Sequence, residues 1–186
     1  KNKPLVLYWD IIEDESQAIT SSSTVVTFNT LSRKTIKDIV FIYQNNSRNS
    51  KSTVVPPIIN TTNYTTETIV TQNGNDWFGF SGNTIDTWGS FHFFNSLELK
   101  INDKLQFNTA VDPFYFNIII PKLYYNCTPE AFIYTIPMSV LPLSNNSKGI
   151  LVTKNNNKFK FTFTLPTGLA NGTMTVFART IKKVTI

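Results

Sequence analysis

Between Lys158 and Leu165 apolar and polar residues alternate without a break. Phe159, Phe161, Phe163 and Leu165 fall on one side of an extended chain, and Lys158, Lys160, Thr162 and Thr164 fall on the other. A period of two belongs to a strand in a sheet with one dry and one wet face. Pro166 to Gly172 then turns the chain, and Met174, Val176 and Ala178 continue the inward set in a last strand. A chain carrying this pattern must build a sheet and cover it. With 186 residues, 41% of them hydrophobic and 16% charged, it is long enough for one domain with a sizeable core. Its 21 Asn and 25 Thr disfavour helix interiors, because Thr is stiff at its β-branch and Asn competes for backbone hydrogen bonds. The expectation is an all-β domain.

Short alternating runs separated by polar turn clusters fill the rest of the chain. Pro4 to Trp9 is apolar, and Glu13, Asp14 and Glu15 follow as a turn or short helix. After a hinge at Ser21 to Ser23, strands are expected over Val25 to Asn29 and Ile36 to Gln44. Residues 45–66 are polar and interrupted by proline, which predicts a long connection; such loops are functional or mobile. Thr68 to Thr71 reads as a short strand before the Asn73-Gly74-Asn75 turn. Phe91, Phe93, Leu97, Leu99 and Ile101 mark another strand, with a bulge at Asn95-Ser96 and a hairpin turn at Asn102-Asp103. Phe114 to Ile120 and Ala131 to Pro137 read as buried strands, Ser144 to Lys148 as a turn and Gly149 to Thr153 as a strand. Eight to ten strands with one very long connection suit a Greek-key or jelly-roll sandwich better than a meander.

Chemistry is sparse. One cysteine, Cys127, leaves no disulfide within the chain and no thiolate zinc cage, and a single histidine, His92, leaves no multi-histidine metal site. No nucleophile signature surrounds Cys127, so a buried or loop thiol is the expected role. The acidic residues sit in turns and form no paired carboxylates or calcium loop. No phosphate cradle, Walker motif or nucleophile elbow is present. The net charge of +5 comes from scattered cations and not from a continuous basic track, so no specific nucleic acid is expected. No apolar run is long enough to span a membrane, and no signal-peptide pattern opens the chain. Six Asn-x-Ser/Thr sequons, at Asn45, Asn60, Asn63, Asn126, Asn145 and Asn171, are weak evidence for secretion in a chain this rich in those residues. Trp77 and Trp88 flank a Gly-containing loop and could stack on a sugar ring or pack at a sandwich end. No enzyme, cofactor or metal is expected.

The order of the segments resembles the C-terminal jelly roll of the double-jelly-roll major capsid proteins of nucleocytoplasmic large DNA viruses and their relatives. The family's aromatic strand and acidic turn are matched by Leu7, Tyr8, Trp9, Ile12, Glu13 and Glu15, and its Phe-Asn step and apolar strand by Phe28-Asn29, Lys37 and Ile39 to Gln44. Its Leu-x-Leu hairpin, Tyr-Phe-Asn step and Pro are matched by Leu97, Leu99, Asn102, Asp103, Phe107, Tyr115, Phe116, Asn117 and Pro121. Tyr134, Ser139, Leu141, Pro142 and Gly149 fill the places that follow. The Gly of the family's Asn-Gly turn is absent, and its His-rich stretch is replaced by residues 122–126.

The resemblance implies a jelly-roll β-sandwich of about eight strands, with residues 1–23 as inter-domain strand and linker and 24–186 as the jelly roll. It implies a structural protein of the virion capsid: homotrimers forming pseudo-hexameric capsomers of an icosahedral shell, in contact with neighbouring capsomers and with penton and minor capsid proteins. The loops at 45–66 and 77–88, with Asn45, Asn60, Asn63, Trp77, Phe78 and Trp88, are the expected interaction surfaces. A chain opening on Lys1 and not on Met is expected to be a processed product or a piece of something longer. Two alternatives stay open: a single-jelly-roll penton or minor capsid protein, and a glycan-binding adhesin module using Trp77 and Trp88.

Overall fold

The alternation at 159–165 becomes the centre of one sheet. In the computed structural model, which describes residues 6–20, 25–28, 35–46, 80, 92–101, 103–107, 110–129, 132–144, 149–151, 159–167, 169 and 171–185, it forms β8 (Phe159–Thr164). Eight further strands lie among the described residues: β1 (Val6–Ile19), β2 (Val25–Phe28), β3 (Thr35–Asn45), β4 (Ser96–Ile101), β5 (Lys104–Leu105), β6 (Tyr134–Pro137), β7 (Ile150–Leu151) and β9 (Gly172–Thr185). They make two antiparallel sheets. One runs in the order β1-β9-β3-β6, with β7 also pairing β3, and the other runs β2-β8-β4-β5. Neighbours in each sheet come from distant parts of the sequence, so the chain crosses repeatedly between the layers, and the architecture is a jelly-roll sandwich.

Both sheets turn aromatic side chains inward. Phe159, Phe161 and Phe163 of β8 meet Phe41 of β3, with Phe41–Phe161 ring centroids 5.8 Å apart, and Tyr134 of β6 stacks on Phe41 at 5.0 Å. Phe93 and Phe94 enter the same cluster just ahead of β4, and Phe28 of β2 meets Phe161 edge-on at 5.4 Å. Ile19, Ile39, Leu97, Leu99, Met174, Val176 and Ala178 complete this core, all of them buried. Such aromatic pairs each add about 0.5–1.5 kcal/mol beyond the area they bury. The inward residues of β8 and β9 are those that the alternation predicts.

Two expected elements differ. Glu13, Asp14 and Glu15 form no turn or helix; they lie within β1, which pairs with β9 residue for residue from Val6↔Thr185 to Ile19↔Gly172. An edge strand keeps one side open to water, so acidic side chains fit there, and charge on an edge discourages pairing with another chain. β1 lies within the stretch 1–23 that was expected to be an inter-domain strand and linker, and it serves as the edge strand of the larger sheet. The run Phe114 to Ile120 is not a strand either. It is a π-helical turn, Tyr115–Ile119, leading into α1 (Ile120–Tyr125). Phe116, Asn117, Ile120 and Pro121 are buried while Phe114, Tyr115 and Ile119 are exposed, which is helical spacing. Pro121 sits in the first turn of α1, at the junction with the π turn, where the backbone hydrogen-bond pattern changes. Asn117 donates from Nδ2 to the Ile133 carbonyl at 2.8 Å and fastens the turn to the segment before β6.

The hairpin expected here is borne out in its pairing: β4 and β5 pair through Ile101↔Lys104, with Asp103 at φ 59. Among the described residues of the strand expected over 91–101, only Ser96–Ile101 is strand, and Phe93 and Phe94 are consecutive buried residues outside it. The expectations for 21–23, 47–66, 68–71, 73–75 and 77–79 fall outside the described residues.

Candidate assembly surface

Alternation along β1, β9 and β3 also fixes what faces outward. On β1 the outward positions include Asp10, Ile12 and Asp14, which lie opposite Ile181, Arg179 and Phe177 of β9. On β3 the bulge between Ile36 and Asp38 makes Lys37 an extra residue, and Asp38 comes opposite Arg179. Two acids and two bases therefore meet across three strands.

The Lys37 ammonium, buried within the protein, donates to both carboxylate oxygens of Asp10 at 2.9 Å. Arg179 binds the Asp38 carboxylate through Nη2, donates from the same nitrogen to the Pro142 carbonyl at 2.7 Å, and lies 3.9 Å from Asp10 through Nη1. Tyr125, the last residue of α1, donates its hydroxyl to Asp38 at 2.8 Å. The four charges sum to zero, as a partly buried group requires. Arg179 Nε is buried with no hydrogen-bond partner among the described residues. Burial, then the Asp38 charge and the hydrogen bond to it, push the Tyr125 phenol well above its ordinary range, against an opposing pull from Arg179. The network ties β1 to β3, and it ties α1 and the loop after β6 to the sheet.

Around this network the surface is apolar. A groove of about 270 Å³ lies over it, walled by Ile12, Val40, Phe177, Tyr125 and Leu143. A second groove, of about 370 Å³, adjoins it and is lined by Leu123, Tyr124, Val140, Leu141 and Leu143. Leu143 belongs to both. Ile12, Leu123, Val140, Leu141 and Leu143 are each more than half exposed. The last three crowd into the short loop after β6, where turn residues would ordinarily be polar. That unusual apolar turn is the available sequence signal, beyond the place of Leu141-Pro142 in the family motif.

Of the residues singled out from the sequence as interaction loops, Asn45 ends β3, buried, opposite Gly172. The expected loop therefore starts after it. Asn60, Asn63, Trp77, Phe78 and Trp88 lie outside the described residues. His92 and Cys127 keep separate company. Nδ1 of His92 lies 3.0 Å from the Tyr134 hydroxyl and its ring meets Phe132 edge-on, whereas Cys127 is exposed just past α1. Burial lowers the His92 pKa, against the nearby Asp112 charge. No helix among the described residues is long and apolar enough to cross a membrane.

The crossing order of the two sheets defines a jelly roll, and solved structures carry a similar fold. The chain is similar to the PBCV-1 virus capsid, with a TM-score of 0.62 and 12% identity over 99% of this chain and 50% of that one. It is similar to the Faustovirus major capsid protein, with a TM-score of 0.71 and 9% identity over 97% of this chain and 34% of that one. A PBCV-1 capsid protein fitted into a reconstruction of the virophage Sputnik matches at a TM-score of 0.55 and 12% identity, over 98% and 50% of the two chains. At such identities the likeness is one of fold, and this chain spans half or less of each neighbour's length. No family model matches the sequence, and no curated protein matches it.

Proposed function

We propose that this chain is a structural module of a viral capsid, the second jelly roll of a major capsid protein that builds pseudo-hexameric trimers in an icosahedral shell. The observation that carries the reading is the fold: nearly the whole chain superposes on capsid proteins that are two to three times as long. In this reading residues 1–23 connect to a preceding domain while β1 also closes the sheet, and residues 24–186 form the body of the jelly roll. The loops at 45–66 and 77–88, with Asn60, Asn63, Trp77, Phe78 and Trp88, carry contacts at the outer surface of the capsomer. Neighbouring capsomers and penton and minor capsid proteins are the partners, the virion is the location, and no residue is assigned a catalytic role. A rigid aromatic core suits this work, since a shell subunit transmits load through packed side chains.

The test is mass per particle. The product of the complete reading frame, expressed and purified, is expected to form trimers of a chain about twice this length by native mass spectrometry. Pentamers of a chain of this length alone would overturn the reading in favour of a penton-like protein.

A further inference from the structure

A knob and a hollow sit side by side on the outer face of the five-stranded sheet. Val140, 84% exposed, and Leu141 project from the loop after β6. Next to them lies the hollow between Ile12, Val40, Phe177 and Leu143. With Leu123 these exposed aliphatic side chains line two grooves joined at Leu143, and contiguous exposed apolar surface marks interfaces. Its two ends carry opposite charge. At the β1 end stands Asp14, exposed and cross-strand from Phe177; at the α1 end stands Lys122, exposed and next to Leu123.

The two grooves share Leu143, with Asp14 beyond one end and Lys122 beyond the other. A half-turn about that shared residue would set the loop of each molecule against the hollow of a second copy, and the acidic end of each against the basic end of the other. An isologous interface requires this juxtaposition of one patch with itself. We propose that this face is a two-fold contact between two copies of this chain, with Val140 and Leu141 seated in the partner's hollow and Asp14 opposite the partner's Lys122. The contact does not depend on the capsid reading. If that reading holds, it joins neighbouring capsomers; if the contact fails, the fold that supports the reading is untouched.

Sedimentation equilibrium of the 186-residue chain tests it. The wild type is expected to form dimers and no larger species as concentration rises through the micromolar range. Val140→Asp with Leu141→Asp, both at exposed positions, is expected to weaken dimerisation by at least about a hundred-fold. Asp14→Lys and Lys122→Asp are each expected to weaken it several-fold, and their combination is expected to recover it. If the aspartate pair impairs folding, as read by circular dichroism, the charge exchange decides. A wild type that stays monomeric, a dimer indifferent to the loop substitutions, or a charge exchange without recovery would each overturn the proposal.

Discussion

At Gly149 the chain entering β7 passes so close to β3 that a Cβ would run into the Ile36 carbonyl oxygen and lie 2.9 Å from the Lys37 nitrogen. These are backbone atoms of a paired strand and cannot swing aside. Gly149→Ala is therefore expected to destabilise the fold by about 1–3 kcal/mol, read as a lower urea midpoint at unchanged slope. Asp38 poses a different problem, because its carboxylate serves Arg179 and Tyr125 at once. Asp38→Ala takes from Tyr125 its carboxylate acceptor and leaves the Arg179 charge with the Pro142 carbonyl and the more distant Asp10, and the expected loss is roughly 3 kcal/mol. Asp38→Ala combined with Arg179→Met should lose less than the two single changes summed, and a double-mutant cycle measures the difference. The glycine was visible in the sequence, but its closeness to another strand was not. Nor was the Asp38 network, whose members come from positions 10, 37, 38, 125 and 179 and meet through strand register and the docking of α1 on the sheet.

Among the elements, β8 and β9 were legible because a strand with one dry face writes its geometry into every second residue. β3 was legible as an apolar run bounded by polar residues. The segment from Phe114 to Ile120 was not, since a short continuous apolar stretch fits a buried strand and a buried helical turn equally well. What decides is Pro121, accommodated where the π turn passes into α1 and disruptive inside a sheet, together with the Asn117 side chain that bonds the Ile133 carbonyl. The acidic turn in β1 failed for another reason: propensity favours a turn, but fourteen residues of register with β9 outweigh it. β1 is held by that register and by the Asp10 pair with Lys37. Asp10→Asn is expected to speed amide hydrogen exchange in β1 while leaving β8 protected, as measured by mass spectrometry. Uniform loss of protection would show that β1 has no stability of its own to lose.

Across the whole molecule, the buried phenols set how the fold answers alkali. Tyr43 and Tyr134 are pushed above their ordinary value of 10.0 by burial, and Tyr125 is pushed up by burial and Asp38. Each keeps its proton in the folded state where the unfolded chain has lost it. Their contribution is fully present below about pH 10 and is lost as pH rises toward the folded values. Denaturant midpoints are expected to be flat through neutrality on this account and to fall steeply above pH 10. Tyr125→Phe should reduce that slope, since one fewer proton is released on unfolding. The class of fold was legible from period and composition, and the resemblance to capsid proteins was carried by short motifs spread along the chain. The apolar face over the Asp38 network was legible only in its loop, Val140, Leu141 and Leu143, because exposure is a property of the packed molecule and Ile12 and Leu123 look like core residues until the sheets are in place. The sheet order carries a further consequence, in time. β9 lies between β1 and β3, and Val6 pairs with Thr185, so two early strands cannot join until one of the last has been made. Nearly the whole chain must be looped before that pairing returns any energy, which places the domain among slow folders, on the order of milliseconds to seconds. A growing chain would hold its aromatic core half open until β9 arrives, and the acidic edge of β1 would keep the waiting strand apart from its neighbours.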